Sequence, residues 1–238
     1  MERQRALVLG VAVLCVLALA GPTFALPVTS VQYNSPGPPY QTAAITVNGS
    51  PETVYTGPYG LRVPASDPLI SYWMCFDATT TVSSSAWTAL VADTTTAATY
   101  LNPAKVNMLA YLANQWDGST PSAKNRDLNL ATWEIMADYN GAVLNAGLDL
   151  GGGTFQTTTD VTLVGQYLAD ALASLTSGVT YQATFLLPGY SDGGKWIFDD
   201  SKTQPFVQPV PEPGTLLLLG SGLFGLGAWR RRNRRSAA

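Results

Sequence analysis

An α+β domain is predicted for the middle of this chain, with short β-strands flanking a three-helix segment. Three observations lead there. β-type residues broken by Pro and Gly fill residues 43–77. Three stretches with helical spacing and capping residues follow between 102 and 175. Strand patterns return after 180, and the order strands, helices, strands is that of an α+β fold. An apolar run at each end adds an N-terminal signal peptide and a single C-terminal transmembrane helix. The chain then divides into residues 1–25 (signal peptide), 26–42 (irregular lead-in), 43–202 (the extracytoplasmic domain), 203–209 (linker) and 210–238 (the C-terminal apolar run with its flanks).

The N-terminal run comes first. Arg3 and Arg5 precede an uncharged stretch from Ala6 to Ala20, and small residues allow cleavage after Ala20 or Ala25. That is the pattern of a secretory signal peptide. Residues 26–42 are rich in Pro, Gly, Ser and Thr and predict no regular element. Short strands are predicted at Ala43–Asn48, Glu52–Tyr55, Leu61–Val63 and, most apolar of all, Leu69–Asp77. In residues 79–99, 11 of 21 are Ser or Thr. Trp87, Leu90 and Val91 interrupt that bias and favour a strand and loop over an O-glycosylated tract.

The first helix starts at Asn102 as N-cap with Pro103 at the first helical position, and Val106, Leu109, Ala113 and Trp116 face inward. The second covers about Arg126–Tyr139, with Leu128, Ala131, Thr132, Ile135 and Tyr139 inside. The third runs from about Asp160, its cap, to Leu175, burying Val164, Leu168, Ala171 and Leu175. Gly151-Gly152-Gly153 lacks the Gly-Lys-Ser/Thr ending of a phosphate loop and predicts a flexible turn. Strands are predicted again at Thr180–Leu187 and Trp196–Asp199.

The C-terminal end has three parts in a fixed order. Val210, Pro211, Glu212 and Pro213 open it. An uncharged run of 16 residues, Gly214 to Trp229, follows and would span roughly 24 Å as a helix. Arg230, Arg231, Arg232, Arg234 and Arg235 then predict a cytoplasmic stop. This end resembles the PEP-CTERM sorting signal. The resemblance implies an exosortase, a membrane cysteine protease, as processing partner. It also implies a membrane-anchored precursor whose mature form reaches the cell surface or the extracellular matrix. Exopolysaccharide or other surface proteins are the partners expected there.

Charge and composition exclude several classes. The chain has no histidine, so Ser-His-Asp catalysis and His-bearing zinc sites are absent. The net charge is −3, but residues 26–209 carry 14 acidic against six basic residues, a net of −8. No nucleic-acid surface is expected from such a balance. Asp192, Asp199 and Asp200 do not match a calcium loop and read as a solvated acidic face. Glu134 and Asp138 lie one helical turn apart and read as surface acids; a carboxylate-pair hydrolase is the weakest reading. No catalytic residue, metal site or cofactor is predicted, and a non-enzymatic role in adhesion or matrix structure is expected.

Cys15 leaves with the signal peptide, and Cys75 is then the lone thiol of the mature chain. It is a buried small hydrophobe, a link to another chain, or a thiol held in an internal bond. Tyr72-Trp73-Met74-Cys75-Phe76-Asp77 and Asn129-Leu130-Ala131-Thr132-Trp133-Glu134-Ile135 resemble the bacterial thioester-domain (TQXA-type) family. The resemblance implies a Cys–Gln thioester that captures an amine. Registered on Ala131 and Trp133, the Gln position falls on Asn129. Its side chain is one methylene shorter, which places the carbonyl about 1.5 Å further from the sulfur. The pair Cys75–Asn129 is therefore the candidate for a degenerate thioester-like site, and a covalent adhesin is the alternative function.

Overall fold

Two local signals start the architecture. Val47 and Ser50 are register partners across Asn48 and Gly49, both at positive φ (51° and 80°), which is the geometry of a tight Asn-Gly hairpin. Gly193 and Gly194 do the same between Asp192 and Lys195. Around these turns the computed structural model describes residues 28–36, 41–116, 122–141 and 148–210.

Ten strands and four helices lie in that described part. The strands are β1 (Val28–Pro36), β2 (Gln41–Val47), β3 (Ser50–Thr56), β4 (Tyr59–Arg62), β5 (Ser71–Cys75), β6 (Trp87–Asp93), β7 (Phe155–Thr157), β8 (Ala183–Asp192), β9 (Lys195–Phe198) and β10 (Phe206–Pro209). The helices are α1 (Thr94–Ala97), α2 (Pro103–Gln115), α3 (Ala123–Asp138) and α4 (Val161–Ser174).

Six strands close into a ring. β1 pairs with β4 and β6, β4 with β5, β5 with β10, β10 with β8, and β8 with β6, every pair antiparallel. Closure gives every one of these strands two neighbours, so none is an edge strand of the ring. β9 extends β8 outward, and β2, β3 and β7 form a separate three-stranded sheet. Helix α3 packs on α2, α4, β2, β3, β5 and β7, so it joins the barrel to the small sheet.

The α+β expectation is corrected: the chain is mostly β, built on a six-stranded barrel with four helices beside it. Two strands explain the difference. β1 lies in the stretch that reads as irregular. Its Ser and Thr residues are tolerated because its first half, Val28–Val31, pairs with β6 and its second half, from Gln32, pairs with β4, and Val31 supplies a fully buried side chain. β10 lies in the stretch that reads as a linker, between Pro205 and Pro209. Prolines sit at its ends, where a missing N–H is tolerated, while Phe206 and Val207 are fully buried.

The helices follow their signals more closely. The Asn102 side-chain oxygen, Oδ1, accepts from the Ala104 and Lys105 amides, and Val106, Leu109, Ala113 and Trp116 are buried. Ser122 caps α3 through the Asn125 amide. Asp160 does not cap α4 with its side chain. It stands at φ 43°, and its carboxylate pairs with Arg126 instead. Ser174, rather than Leu175, is buried at the end of α4.

No helix among the described residues is long and apolar enough to cross a membrane. The expected signal peptide, the expected transmembrane helix over 214–229, Pro211, Glu212, Pro213 and the five C-terminal arginines lie outside the described residues.

Phe206 tests the closure. Its ring stacks on Trp87 at 6.1 Å and meets Tyr59 edge-on at 5.7 Å. Phe206→Ala should cost about 3–5 kcal/mol in urea unfolding, against under about 0.5 kcal/mol for a residue in a solvated linker.

Candidate functional site

Cys75 ends β5 and is fully buried. It is the register partner of Phe206 on β10, so the two side chains share a face. The ladder continues past both residues, because the Phe76 amide donates to the Pro205 carbonyl at 3.2 Å. That continuation brings Gln204 against the thiol. The Cys75 Sγ lies 3.0 Å from Gln204 Oε1 and 3.1 Å from the Asp77 carbonyl oxygen, and its S–H has both acceptors in reach. Cys75 and Gln204 are 129 residues apart in sequence. The Asp77 carboxylate caps the turn that follows, accepting from the Thr79 amide and hydroxyl at 2.7 Å each.

Asn129 reaches the same strand from α3 but does not engage the sulfur. Its Nδ2 donates to the Cys75 carbonyl oxygen, and its Oδ1 accepts from the Gly57 amide at 3.1 Å. The Thr132 hydroxyl supports it, accepting from Asn129 Nδ2 at 3.3 Å and donating to the Asn129 carbonyl at 2.6 Å. The expected Cys75–Asn129 pair is thus corrected in its chemistry. The short amide clamps the backbone on either side of the site, and the carboxamide beside the thiol is Gln204.

Burial pushes the Cys75 thiol far above its ordinary range, and the negative charge of Asp77 adds to that; the Asp77 backbone and the Trp133 indole act the other way. The Trp133 indole is buried, and its N–H has no hydrogen-bond partner of its own. Tyr59 completes the surroundings, its hydroxyl donating to the Tyr55 carbonyl oxygen at 2.7 Å. Burial, with Cys75 close by, raises the Tyr59 phenol well above its usual value. The thiol therefore stays protonated, dry and held against one carboxamide.

The site is open on one side only of that pair. Gln204 is 8% exposed and borders a pocket of about 590 Å³, whose walls include Tyr33, Tyr55, Tyr59 and Trp133. Cys75 does not line it.

The other sequence candidates lie elsewhere. Glu134, expected at the surface, is fully buried with neither carboxylate oxygen hydrogen-bonded. Burial first and Asp138 second raise its carboxyl to about 8. Asp138 accepts from the Thr154 and Phe155 amides at 2.7 and 2.8 Å. The glycine turn is thereby clamped rather than loose; a Cβ on Gly153 would come within 2.7 Å of the Asp138 carboxylate. Asp199 accepts from the Ser201 amide and hydroxyl. Among the described residues no group of His, Cys, Asp and Glu is placed to hold a metal ion.

Residues 209–232 match the PEP-CTERM protein-sorting motif. The protein therefore carries the signal of an exosortase-processed protein exported toward the cell surface or extracellular space. No curated protein and no solved structure matches the chain. The thioester-domain resemblance finds no support among the comparisons. The match begins at Pro209, the last residue of β10, so the sorting signal starts where the barrel ends.

Glu134 gives the site region a pH signature. Its folded value lies above the ordinary carboxyl range, so the folded state holds a proton that the unfolded chain has released. That contribution to stability is complete below about 4.5 and is lost as pH rises through about 8. Relative to the parent, Glu134→Gln should gain nothing below about 4.5, an advantage that grows as pH rises to about 8, and a constant advantage on the order of 2–4 kcal/mol above it. Thermal unfolding in a pH series checks this.

Proposed function

We propose that this protein is a surface or matrix adhesin that attaches covalently, through an internal thioester between Cys75 and Gln204. The observation that carries this reading is the hydrogen bond that holds the Cys75 sulfur 3.0 Å from Oε1 of Gln204 in a buried site, with the carboxamide carbon one bond beyond. Export supplies the setting, since the sorting signal directs the domain to the outside. Exopolysaccharide or neighbouring surface proteins are the partners that setting offers.

The chemistry balances without a cofactor. The Cys75 sulfur adds to Cδ of Gln204, the Sγ–Cδ bond forms, and the Cδ–N bond breaks. The thiol proton leaves with the amide nitrogen as ammonia. A neutral thiol is a weak nucleophile, but fixed proximity is worth effective molarities of about 10⁵–10⁸ M in well-oriented systems. A dry site protects the resulting acyl group from hydrolysis. The Trp133 N–H, with no partner of its own, stands where negative charge builds on sulfur as the bond forms or breaks. An amine on a partner then attacks Cδ, its proton passes to the departing sulfur, and an amide joins Gln204 to the partner. Each chain reacts once, so the protein is consumed rather than turning over as an enzyme.

Intact mass of the purified mature protein tests this. The account predicts a deficit of about 17 Da, the loss of one ammonia. Cys75→Ala and Gln204→Ala should each show the full mass of their sequences, and Asn129→Ala should not restore the missing ammonia by removing a bonded group. A parent protein of full mass whose Cys75 alkylates after unfolding would refute the thioester.

A further inference from the structure

The pocket beside Gln204 has a chemistry of its own. Tyr33 and Tyr55 give it aromatic surface, the nearly buried Tyr59 and Trp133 back it, and Glu52 supplies a carboxylate. The Tyr33 and Tyr59 rings are 6.4 Å apart and inclined at 50°, so they present two differently directed faces. Tyr55, on β3, is 50% exposed and stands at the open side. The volume of about 590 Å³ exceeds what a water or an ammonium ion needs and fits an aliphatic chain. Aromatic faces attract ammonium groups, most strongly where water is thinned, and a carboxylate adds a counter-charge. The surrounding segment, at −8 over residues 26–209, raises the local concentration of cations.

We propose that this pocket is a recognition site for a primary ammonium on an extended aliphatic stem, such as a lysine side chain. Glu52, Tyr33 and Tyr55 are its specificity-determining residues. Delivery of the ammonium to Gln204 rests on the thioester reading of the same site; recognition by the pocket does not. The aromatic walls hold the stem and the charged head. Attack at Cδ of Gln204 follows when the head gives up its proton and the neutral nitrogen reaches the floor of the pocket. A short amine such as methylamine lacks the stem and gains little from the walls.

Two measurements with one probe, cadaverine, separate the claims. The first is saturable binding to the full chain carrying Cys75→Ala, which cannot form the acyl bond, followed by nuclear magnetic resonance shifts. Cadaverine should bind at least about tenfold more tightly than methylamine, and Glu52→Gln or Tyr55→Leu should remove most of that preference. The second is adduct formation on the parent chain, read by intact mass. Cadaverine should add faster than methylamine, and Glu52→Gln should slow cadaverine by about tenfold while leaving methylamine unchanged. Equal binding of the two amines to the Cys75→Ala chain overturns the pocket. Preferential binding there, together with a parent of full mass, sustains the pocket and overturns the thioester instead.

Discussion

The pairing of β10 with both β5 and β8 is the constraint on which the rest depends. It closes the barrel, and the same ladder sets Phe206 opposite Cys75. A strand four residues long therefore fixes two things at once. It removes the open edges of β5 and β8, and it delivers Gln204 to the thiol. The residues at its start are held by backbone bonds on one side and by buried aromatic contacts on the other. A carboxamide on a free tail would have to be ordered at an entropic cost of about 1–2 kcal/mol per residue; here the fold has already ordered it.

Around that junction a single side chain pairs two buried backbone groups. Asn129 satisfies a carbonyl of β5 and an amide of the β3–β4 turn from a single side chain, so α3 cannot slide without opening two buried hydrogen bonds. Leaving either group unpaired would cost about 1–3 kcal/mol. The helix thus acts as a brace for the strand that bears the thiol. Trp133 and Glu134, on the same helix, carry buried polar atoms without a hydrogen-bond partner. The Trp133 N–H lies beside the sulfur, and the Glu134 carboxyl points into the structure from the next position. The first has a use in the proposed chemistry. The second makes the domain's stability fall as pH rises toward about 8.

The helices were legible because their signals are local. Asn102-Pro103 and the spacing of Val106, Leu109 and Ala113 are decided within one element. The barrel was not legible, because its two least apolar strands are held by partners far away in sequence. β1 looks like a polar lead-in until β4 and β6 flank it. β10 looks like a proline-bounded linker, although Phe206-Val207 is an apolar pair of the kind a buried strand needs. The site divides in the same way. Cys75 stood out as a lone thiol in an apolar run. Asn129 was found at the right place with the wrong role, since a motif register says which helix faces the thiol and not which atom does. Gln204 was missed because it sits in that linker-like stretch, and only the closure of the barrel brings it to the sulfur.

The most direct measurement is the identity of the residue bonded to Cys75 in the mature protein. Proteolysis without reducing agent or strong nucleophiles, followed by tandem mass spectrometry, reads it. The account predicts a branched peptide in which the Cys75 sulfur is joined to the side chain of Gln204, lighter by about one ammonia than the two peptides combined. Separate peptides carrying a free Cys75 thiol and an intact Gln204 carboxamide would contradict it.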